Sequence, residues 1–204
     1  MSVDLIESAL RPLADPGRAA GMAAYMRDQF PFLGVPTPAR RRAVRGLLPR
    51  TLDRELIDAL WSLPEREFQY VACDHLQKVP LESAAADFLR SLVVRKSWWD
   101  TVDALAKPVG RACTPEQMRA WARDDNLWVR RAAVLHQLGR REATDAELLG
   151  EILAGNLDSG EFFLDKAVGW ALREYSTTDP AWVRTFLDEH EVAALTRREG
   201  SKYL

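Results

Sequence analysis

The chain has 204 residues, a length typical of one domain with a substantial buried core. Its apolar content of 47% argues against wholesale disorder, and its formal net charge of −2 is unlike that of a strongly basic nucleic-acid-binding protein. Cys73 and Cys113 are far apart, and the three histidines have no metal-ligand spacing, so we expect reduced thiols, a cytoplasmic location, no metal and no cofactor. Residues 1–10 carry no secretory signal and no apolar stretch has membrane-spanning length, so we expect no membrane partner.

Helices are predicted throughout the chain, because glycine and proline fall mostly between periodic apolar segments. The predicted breaks are residues 14–17, 31–38, 79–80 and 176–180. Thr114 followed by Pro115, and Asp179 followed by Pro180, each predict a helix start with an N-cap and a proline at the first helical position. No run of alternating β-branched residues between hairpin turns predicts a strand.

Charge is distributed unevenly along the chain. Residues 29–52 contain no acid, but they include five arginines: Arg40, Arg41, Arg42, Arg45 and Arg50. Residues 142–165 show the reverse, with no Lys or Arg and seven acids: Glu142, Asp145, Glu147, Glu151, Asp158, Glu161 and Asp165. A chain polarised in this way can present one cationic face while staying near neutral overall, although the solvated face of a helix is the commoner explanation of any single run.

A weak internal repeat supports the helical prediction. Aromatic residues followed by small ones recur at Phe68, Trp99, Trp128 and Phe163, roughly 30 residues apart, which is the length of a two-helix repeat. Stacked helix pairs of this kind bury a continuous core and generate a concave surface. A concave surface lined by arginine would suit a nucleic-acid duplex.

The segment of residues 96–105 begins a predicted helix. Ser97 is placed as its N-cap, and Asp100 occupies the capping-box position three residues later. In such a helix Trp98, Val102 and Leu105 share one apolar stripe that faces a core.

Trp99 and Asp103 are also four residues apart, but they lie about 100° round the helix from that stripe. An indole and a carboxylate would then stand side by side at the edge of the buried face. A helical Trp is usually part of a core and a helical Asp is usually a solvated charge, so periodicity alone assigns neither residue a function.

Residues 96–103, KSWWDTVD, resemble a signature segment of the DNA alkylation repair family, the AlkD-type DNA glycosylases built from HEAT-like helical repeats. Further similar segments follow in the family's order: residues 30–34 with 37–38, residues 61–69, 125–133, 161–175 and 196–199. This resemblance implies an all-α, HEAT-like superhelix (an α-solenoid) with a concave DNA-binding face, formed as a single domain by residues 1–204.

The same resemblance implies roles for three residues. Asp103 matches the catalytic aspartate, which we expect to stabilise the sugar cation and to position the attacking water. Trp99 matches an active-site tryptophan that would pack against the lesion nucleotide. Arg131 matches an arginine that would hold a phosphate next to the lesion.

Five further residues are expected to bind DNA. Trp170 matches a tryptophan of the family's DNA-facing groove, and Tyr25 is a further candidate contact; for both, a place in the core remains the alternative. Arg130 is a neighbour of Arg131 whose role the spacing leaves open. Arg40 and Arg41 belong to the acid-free arginine run.

The implied reaction explains these residue types. Cleavage of an N-glycosidic bond builds positive charge on the deoxyribose, and a purine alkylated at N3 or N7 is already cationic and leaves readily. Such an enzyme needs electron-rich groups beside the sugar: a carboxylate in a water-poor site and indole faces, the latter worth about 0.5–2 kcal/mol. We therefore expect a monomeric glycosylase of alkylated purines in duplex DNA, located in the cytoplasm with the nucleoid.

Two other interpretations compete with this one. The first is a non-catalytic helical-repeat protein that binds branched or distorted DNA, which would have no need of a carboxylate beside phosphates. The second is a protein-binding scaffold, a common role of helical solenoids. Binding to phosphates would weaken steeply as salt rises, which separates DNA binding from the scaffold role.

Overall fold

The computed structural model describes residues 2–157 and 159–204, and Asp158 of the acidic segment lies outside the described residues. These residues form thirteen α-helices and three short 3-10 helices, and no strand is found among them. They divide into two compact units, Met1–Pro80 and Leu81–Leu204, here called the N-terminal and C-terminal units. The all-α fold class is confirmed, and the helix pairs within each unit are consistent with HEAT-like repeats. The concave face and the single domain over residues 1–204 stay predictions.

No helix in the described part of the chain has the length and apolar character needed to cross a membrane.

The described residues of the N-terminal unit form five α-helices: α1 (Val3–Leu10), α2 (Pro16–Tyr25), α3 (Thr37–Ala43), α4 (Arg54–Ser62) and α5 (Arg66–Leu76). Aspartate N-caps begin two of them, since the carboxylates of Asp15 and Asp53 accept hydrogen bonds from the backbone N–H groups of Arg18 and Leu56. Residues 14–17 were predicted to be a break, but the break ends at Asp15, because Pro16 takes the first helical position of α2. The core of this unit includes fully buried apolar side chains of α1, α4 and α5: Ile6, Leu10, Ile57, Leu60, Trp61 and Phe68.

Glu67 of α5 connects two of the family-like segments. Its side chain is fully buried, and its carboxylate accepts hydrogen bonds of 2.9, 2.9 and 3.1 Å from the backbone N–H groups of Leu33, Gly34 and Val35. Gly34 has a φ of +85°, and a Cβ added there would lie 2.1 Å from the carbonyl oxygen of Asp15. Glu67, in the segment 61–69, therefore holds the segment 30–34 in place through its carboxylate.

Where the structure describes the C-terminal unit, it has eight α-helices: α6 (Ala86–Val93), α7 (Trp99–Ala112), α8 (Pro115–Trp121), α9 (Leu127–Leu135), α10 (Ala146–Ala154), α11 (Phe162–Tyr175), α12 (Pro180–Glu189) and α13 (Ala194–Gly200). The two predicted helix starts are confirmed. Thr114 forms a full capping box with Gln117, and Asp179 accepts a hydrogen bond from the backbone N–H of Trp182.

Helix α9 packs against both α7 and α11, and α11 packs closely against α13. The last contact depends on a glycine, because a Cβ at Gly169 would lie 2.7 Å from the Cβ of Glu199. The hydroxyl of Thr196, in α13, donates a hydrogen bond of 2.9 Å to the carbonyl oxygen of Asp165 in α11. This packing sets the position of α11, which contributes to the site described below.

The predicted N-cap of α7 was wrong. Trp98 is the N-cap residue, without a side-chain hydrogen bond, and the hydroxyl of Ser97 instead donates a bond of 2.6 Å to the carbonyl oxygen of Val93 at the end of α6. Serine satisfies an unpaired carbonyl of the preceding helix, so it does not cap the next one. Val102 and Leu105 are fully buried as predicted, whereas Trp98 lies outside the helix and is only half-buried.

Candidate active site

Asp103 lies in the second turn of α7, and only 16% of its side chain is exposed. Arg131 of α9 donates hydrogen bonds to both carboxylate oxygens, from Nε to Oδ1 at 2.7 Å and from Nη2 to Oδ2 at 2.8 Å. A fork-to-fork pair of this kind fixes the plane of the carboxylate as well as its position. The two residues that the family resemblance singled out from α7 and α9 are therefore in direct contact.

Arg131 has a third partner. Its Nη1 donates to the carbonyl oxygen of Phe163 in the first turn of α11, and only 5% of its side chain is exposed. The guanidinium thus ties α7, α9 and α11 together around the carboxylate of Asp103. We expected Arg131 to hold a phosphate, but in this structure a phosphate would have to compete with Asp103 for the same donors.

A cluster of three aromatic rings includes Phe163, the residue whose carbonyl oxygen accepts from Arg131. Trp98, Trp128 and Phe163 contact one another with ring centroids 5.1 to 5.7 Å apart. They come from the starts of α7, α9 and α11, as the aromatic repeat predicted for two of them. Trp98 takes the place expected of Trp99 in that repeat, because it sits at the N-cap of α7 and turns its ring toward α9 and α11.

Trp99 is the first residue of α7 and stands one helical turn before Asp103. It is half-buried, so part of its indole reaches solvent. Residues four apart share a side of a helix, so the backbone of α7 carries Trp99 and Asp103 on one side. The contact of this indole with the carboxylate of Asp103 stays a prediction.

Burial raises the pKa of Asp103 above the ordinary value of 3.8, and the hydrogen bonds and charge of Arg131 oppose this effect. The nearby carboxylate of Asp100 raises the same pKa further, while the ammonium of Lys166 lowers it. Two cations and one other anion therefore act on Asp103. Lys166, on α11, was not among the residues that the sequence singled out.

Trp170 and Lys166 share a face of α11. Phe163, Lys166 and Trp170 follow the three- and four-residue spacing of one helix face, and Phe163 is the residue whose carbonyl holds Arg131. Trp170 is half-buried, so it is neither a fully buried core residue nor a freely exposed one. Lys166 is exposed, with its Nζ 5.8 Å from the ring centroid of Phe162. The position of Lys166, three residues after Phe163 and four before Trp170, is the sequence feature that would have identified it as a site residue.

Arg130 differs from its neighbour Arg131. It is half-buried, and its Nε is buried without a hydrogen-bond partner among the described residues. A buried donor without an acceptor is unfavourable, and an anionic ligand would satisfy it. Of the two adjacent arginines, Arg130 is therefore the one with a buried donor that no described residue satisfies.

Three of the expected DNA contacts lie in the N-terminal unit. Tyr25, at the end of α2, is 72% exposed, so the alternative of a core position is excluded. It lines an apolar cavity of about 450 Å³ together with Met22, Phe32 and Tyr70. An exposed ring over such a cavity remains compatible with stacking on a nucleobase.

Arg40 does not fit its expected role. Only 5% of its side chain is exposed, its Nη2 lies 3.1 Å from Oδ2 of Asp74, and its guanidinium lies over the ring of Tyr70 at 5.0 Å. A guanidinium buried in this way cannot reach a phosphate, so we correct that expectation. Arg41 has a side chain that is 56% exposed, and it too binds Asp74, with Nη2 2.6 Å from Oδ1.

No group of three or more His, Cys, Asp or Glu residues that could hold a metal ion is found within residues 2–157 and 159–204.

The helix pairs and the carboxylate of Asp103 held by Arg131 together define an all-α, solenoid-like protein with a buried ion pair in its C-terminal unit. The profile of a family described as "DNA alkylation repair enzyme" matches residues 6–204, and the chain belongs to this family. The DNA alkylation repair resemblance seen in the sequence is thereby confirmed.

A solved structure shows the same fold. It is described as a "Predicted DNA alkylation repair enzyme from Enterococcus faecalis", with 36% sequence identity and a TM-score of 0.85. The match covers 94% of this chain and 96% of the other chain. A search of curated proteins found no significant match.

Proposed function

We propose that this DNA alkylation repair protein is a glycosylase that hydrolyses the N-glycosidic bond of cationic N3- and N7-alkylated purines in duplex DNA. The observation that carries the proposal is the largely buried carboxylate of Asp103, oriented by two hydrogen bonds from Arg131 and accompanied by Trp99 one turn away.

The carboxylate suits a reaction that builds positive charge on a sugar. A fixed anion in a site with little water stabilises a developing cation more strongly than the same anion in solution. Asp103 is held before the substrate arrives, so no energy is needed to orient it during the reaction. The partly exposed indole of Trp99 adds a second electron-rich group that attracts a cation.

The pairing with Arg131 leaves room for a water molecule. An ionised carboxylate has about four lone-pair positions, and Arg131 occupies one on each oxygen. The remaining positions of Asp103 can accept a hydrogen bond from a water and direct it at the sugar carbon. The hydrolysis then breaks the bond from that carbon to the purine nitrogen, and the electron pair of this bond leaves with the neutral base. The water oxygen bonds the carbon, and the proton that it releases passes through the carboxylate of Asp103 to solvent.

No strong general acid is needed, because a purine alkylated at N3 or N7 carries a positive charge and leaves as a neutral base. The same reasoning predicts poor action on neutral lesions. We further propose DNA-backbone contacts that differ from those the resemblance implies: Arg130 and Lys166 hold the flanking phosphates, while Arg131 positions Asp103.

The ion pair of Asp103 and Arg131 also supports an alternative function, DNA binding without catalysis. A bidentate pair that joins α7, α9 and α11 would also serve as a purely structural contact in a protein that binds distorted DNA without cleaving it. That protein would bind alkylated and branched duplexes and release no base.

The test measures base release from three duplexes: one methylated at purines, one containing uracil and one containing hypoxanthine. We expect release of 7-methylguanine or 3-methyladenine and little release of uracil or hypoxanthine. Asp103→Asn removes the charge with little change of shape, and it should abolish release while duplex binding persists. Efficient excision of uracil, or methylated-base release by Asp103→Asn at the rate of the unmodified protein, would contradict the proposal.

A further inference from the structure

The N-terminal unit contains a cavity of about 550 Å³ next to the loop that follows α3. Four cationic side chains line it: Arg41, Arg45, Arg50 and Lys78. Cavities that bind small ligands typically have volumes of about 300–1,000 Å³, so this one is large enough for a nucleotide.

The only carboxylate among the lining residues, Asp74, is already neutralised. Arg40 and Arg41 both bind it, at 3.1 and 2.6 Å. Burial opposes ionisation of Asp74, but the hydrogen bonds and charges of these two arginines outweigh it and lower its pKa. The positive charges of Arg45, Arg50 and Lys78 are therefore left over.

Arg45, Arg50 and Lys78 are exposed, and no ion pair with a described residue is found for any of them. Three cations around one concave surface repel one another, and binding an anion removes that repulsion. Concave surfaces lined by charge of one sign also concentrate counter-ions, which favours a polyanionic ligand.

The cavity also has features that a simple anion site would lack. Val44, Leu48, Pro49 and Val79 give it apolar walls. His75 lines it as well, is 2% exposed, and has a buried Nε2 without a hydrogen-bond partner among the described residues. The backbone of Thr51 also hydrogen-bonds the ring of His75, and Nε2 is the ring nitrogen that can pair with a ligand group.

We infer that this cavity is a nucleotide-phosphate site that belongs to the N-terminal unit. Arg45, Arg50 and Lys78 bind the phosphate, the apolar walls contact the sugar or base, and a hydroxyl or amino group of the ligand donates to Nε2 of His75. The phosphate has two possible sources, the backbone of a DNA strand or a free mononucleotide. This inference does not rest on base excision.

The experiment compares the double variant Arg45→Ala/Arg50→Ala with Arg42→Ala. Arg42 is an exposed arginine of α3 that is not among the lining residues, so Arg42→Ala controls for the loss of one positive charge outside the cavity. Binding is measured with inorganic phosphate, AMP and a short unmodified duplex without terminal phosphates, at several salt concentrations. Circular dichroism checks that each variant keeps its helix content.

A DNA source predicts that the double variant binds the duplex at least about tenfold more weakly, with a slope of log K against log salt smaller by about 1 for each phosphate that is no longer bound. A mononucleotide source predicts weaker binding of AMP or phosphate, with the duplex unaffected. Arg42→Ala should match the unmodified protein in every arm. If the double variant and Arg42→Ala bind all three probes equally, the inference is wrong. Because the duplex carries no lesion, a failure here is separate from a failure of the proposed excision activity.

Discussion

Arg131 donates to both carboxylate oxygens of Asp103, at 2.7 and 2.8 Å, and also to the backbone carbonyl of Phe163. These contacts make Arg131 a positioning residue, since it acts on a substrate through Asp103. The guanidinium of Arg131 therefore has two roles. It holds three helices together, and it keeps the carboxylate of Asp103 ionised and oriented. The first role affects folding stability and the second affects the rate of base release, so a denaturation experiment and a kinetic experiment measure them separately.

Arg131→Ala should destabilise the protein by about 3–5 kcal/mol, because it leaves the largely buried carboxylate of Asp103 without its partner. Arg130→Ala is the matched control, and it should change stability by less than about 1 kcal/mol, since it removes no ion pair. Urea denaturation measures both. Equal destabilisation by the two substitutions would show that the Asp103–Arg131 pair contributes little to the fold.

The raised pKa of Asp103 predicts a pH dependence of base release. Release requires the carboxylate, so its rate should fall as the pH decreases through the folded-state pKa of Asp103, which lies above 3.8. Burial is the main cause of this shift, with Arg131 opposing it. Arg131→Lys keeps a cation but loses the fork, so the acid limb of its single-turnover pH profile should move to higher pH. An acid limb at the same pH in both proteins would contradict this assignment.

The raised pKa of Asp103 makes the free energy of unfolding change with pH in the direction opposite to the rate of base release. Between 3.8 and the folded-state pKa, the folded protein binds more protons at Asp103 than the unfolded chain does. The contribution of Asp103 to the free energy of unfolding therefore decreases as the pH rises through this window. The difference in unfolding free energy between the unmodified protein and Asp103→Asn, measured at several pH values, isolates this contribution.

Short-range rules predicted much of this architecture. The helix starts at Thr114 and Asp179 follow from N-cap chemistry, and the burial of Val102 and Leu105 follows from helical spacing. At Ser97 the same rules failed. Its hydroxyl had two unpaired backbone groups within reach, and it bonded the carbonyl that ends α6 rather than the N–H groups that begin α7.

Long-range pairings could not be predicted from the residues themselves. Asp103 and Arg131 are 28 residues apart, and no local rule states that they meet. A run of arginines likewise does not reveal which members find a carboxylate, and Asp74 selects Arg40 and Arg41 from 34 and 33 residues away. The family resemblance identified Asp103 and Arg131 as site residues, but only the structure shows that one holds the other.

The two neighbouring tryptophans should respond differently to substitution. Trp98 packs on Trp128 and Phe163, so Trp98→Ala should cost about 2 kcal/mol of stability, less than a fully buried ring would. Trp99→Ala should slow excision roughly 2- to 30-fold, the equivalent of a cation–π contribution of about 0.5–2 kcal/mol, with a smaller effect on stability. Thermal unfolding and single-turnover base release give the two quantities. If Trp98→Ala and Trp99→Ala exchanged these effects, the roles of the two rings would be reversed.

Two glycines with the same backbone conformation provide a test of the packing in the N-terminal unit. Gly34 and Gly46 have φ values of +85° and +81°, but an added Cβ would lie 2.1 Å from a backbone oxygen at Gly34 and meets nothing within 4 Å at Gly46. Gly46→Ala should therefore cost only the left-handed strain of about 1–2 kcal/mol. Gly34→Ala should cost distinctly more, because the loop held by Glu67 must move. Urea denaturation measures both costs, and equal costs for the two substitutions would contradict the prediction.

The phosphate contacts proposed near Asp103 can be tested by salt dependence. Arg130→Met and Lys166→Met each remove one cation while keeping an apolar stem, and each should reduce the slope of log K against log salt by about 1 for duplex binding. Arg184→Met, at an exposed arginine of α12, is the control and should leave the slope unchanged. Loss of the Lys166 charge should also move the acid limb of base release to higher pH, because its ammonium favours the ionised form of Asp103. Slopes that are equal in all three variants would mean that neither Arg130 nor Lys166 contacts the backbone, and Arg131 would again be the candidate for that role.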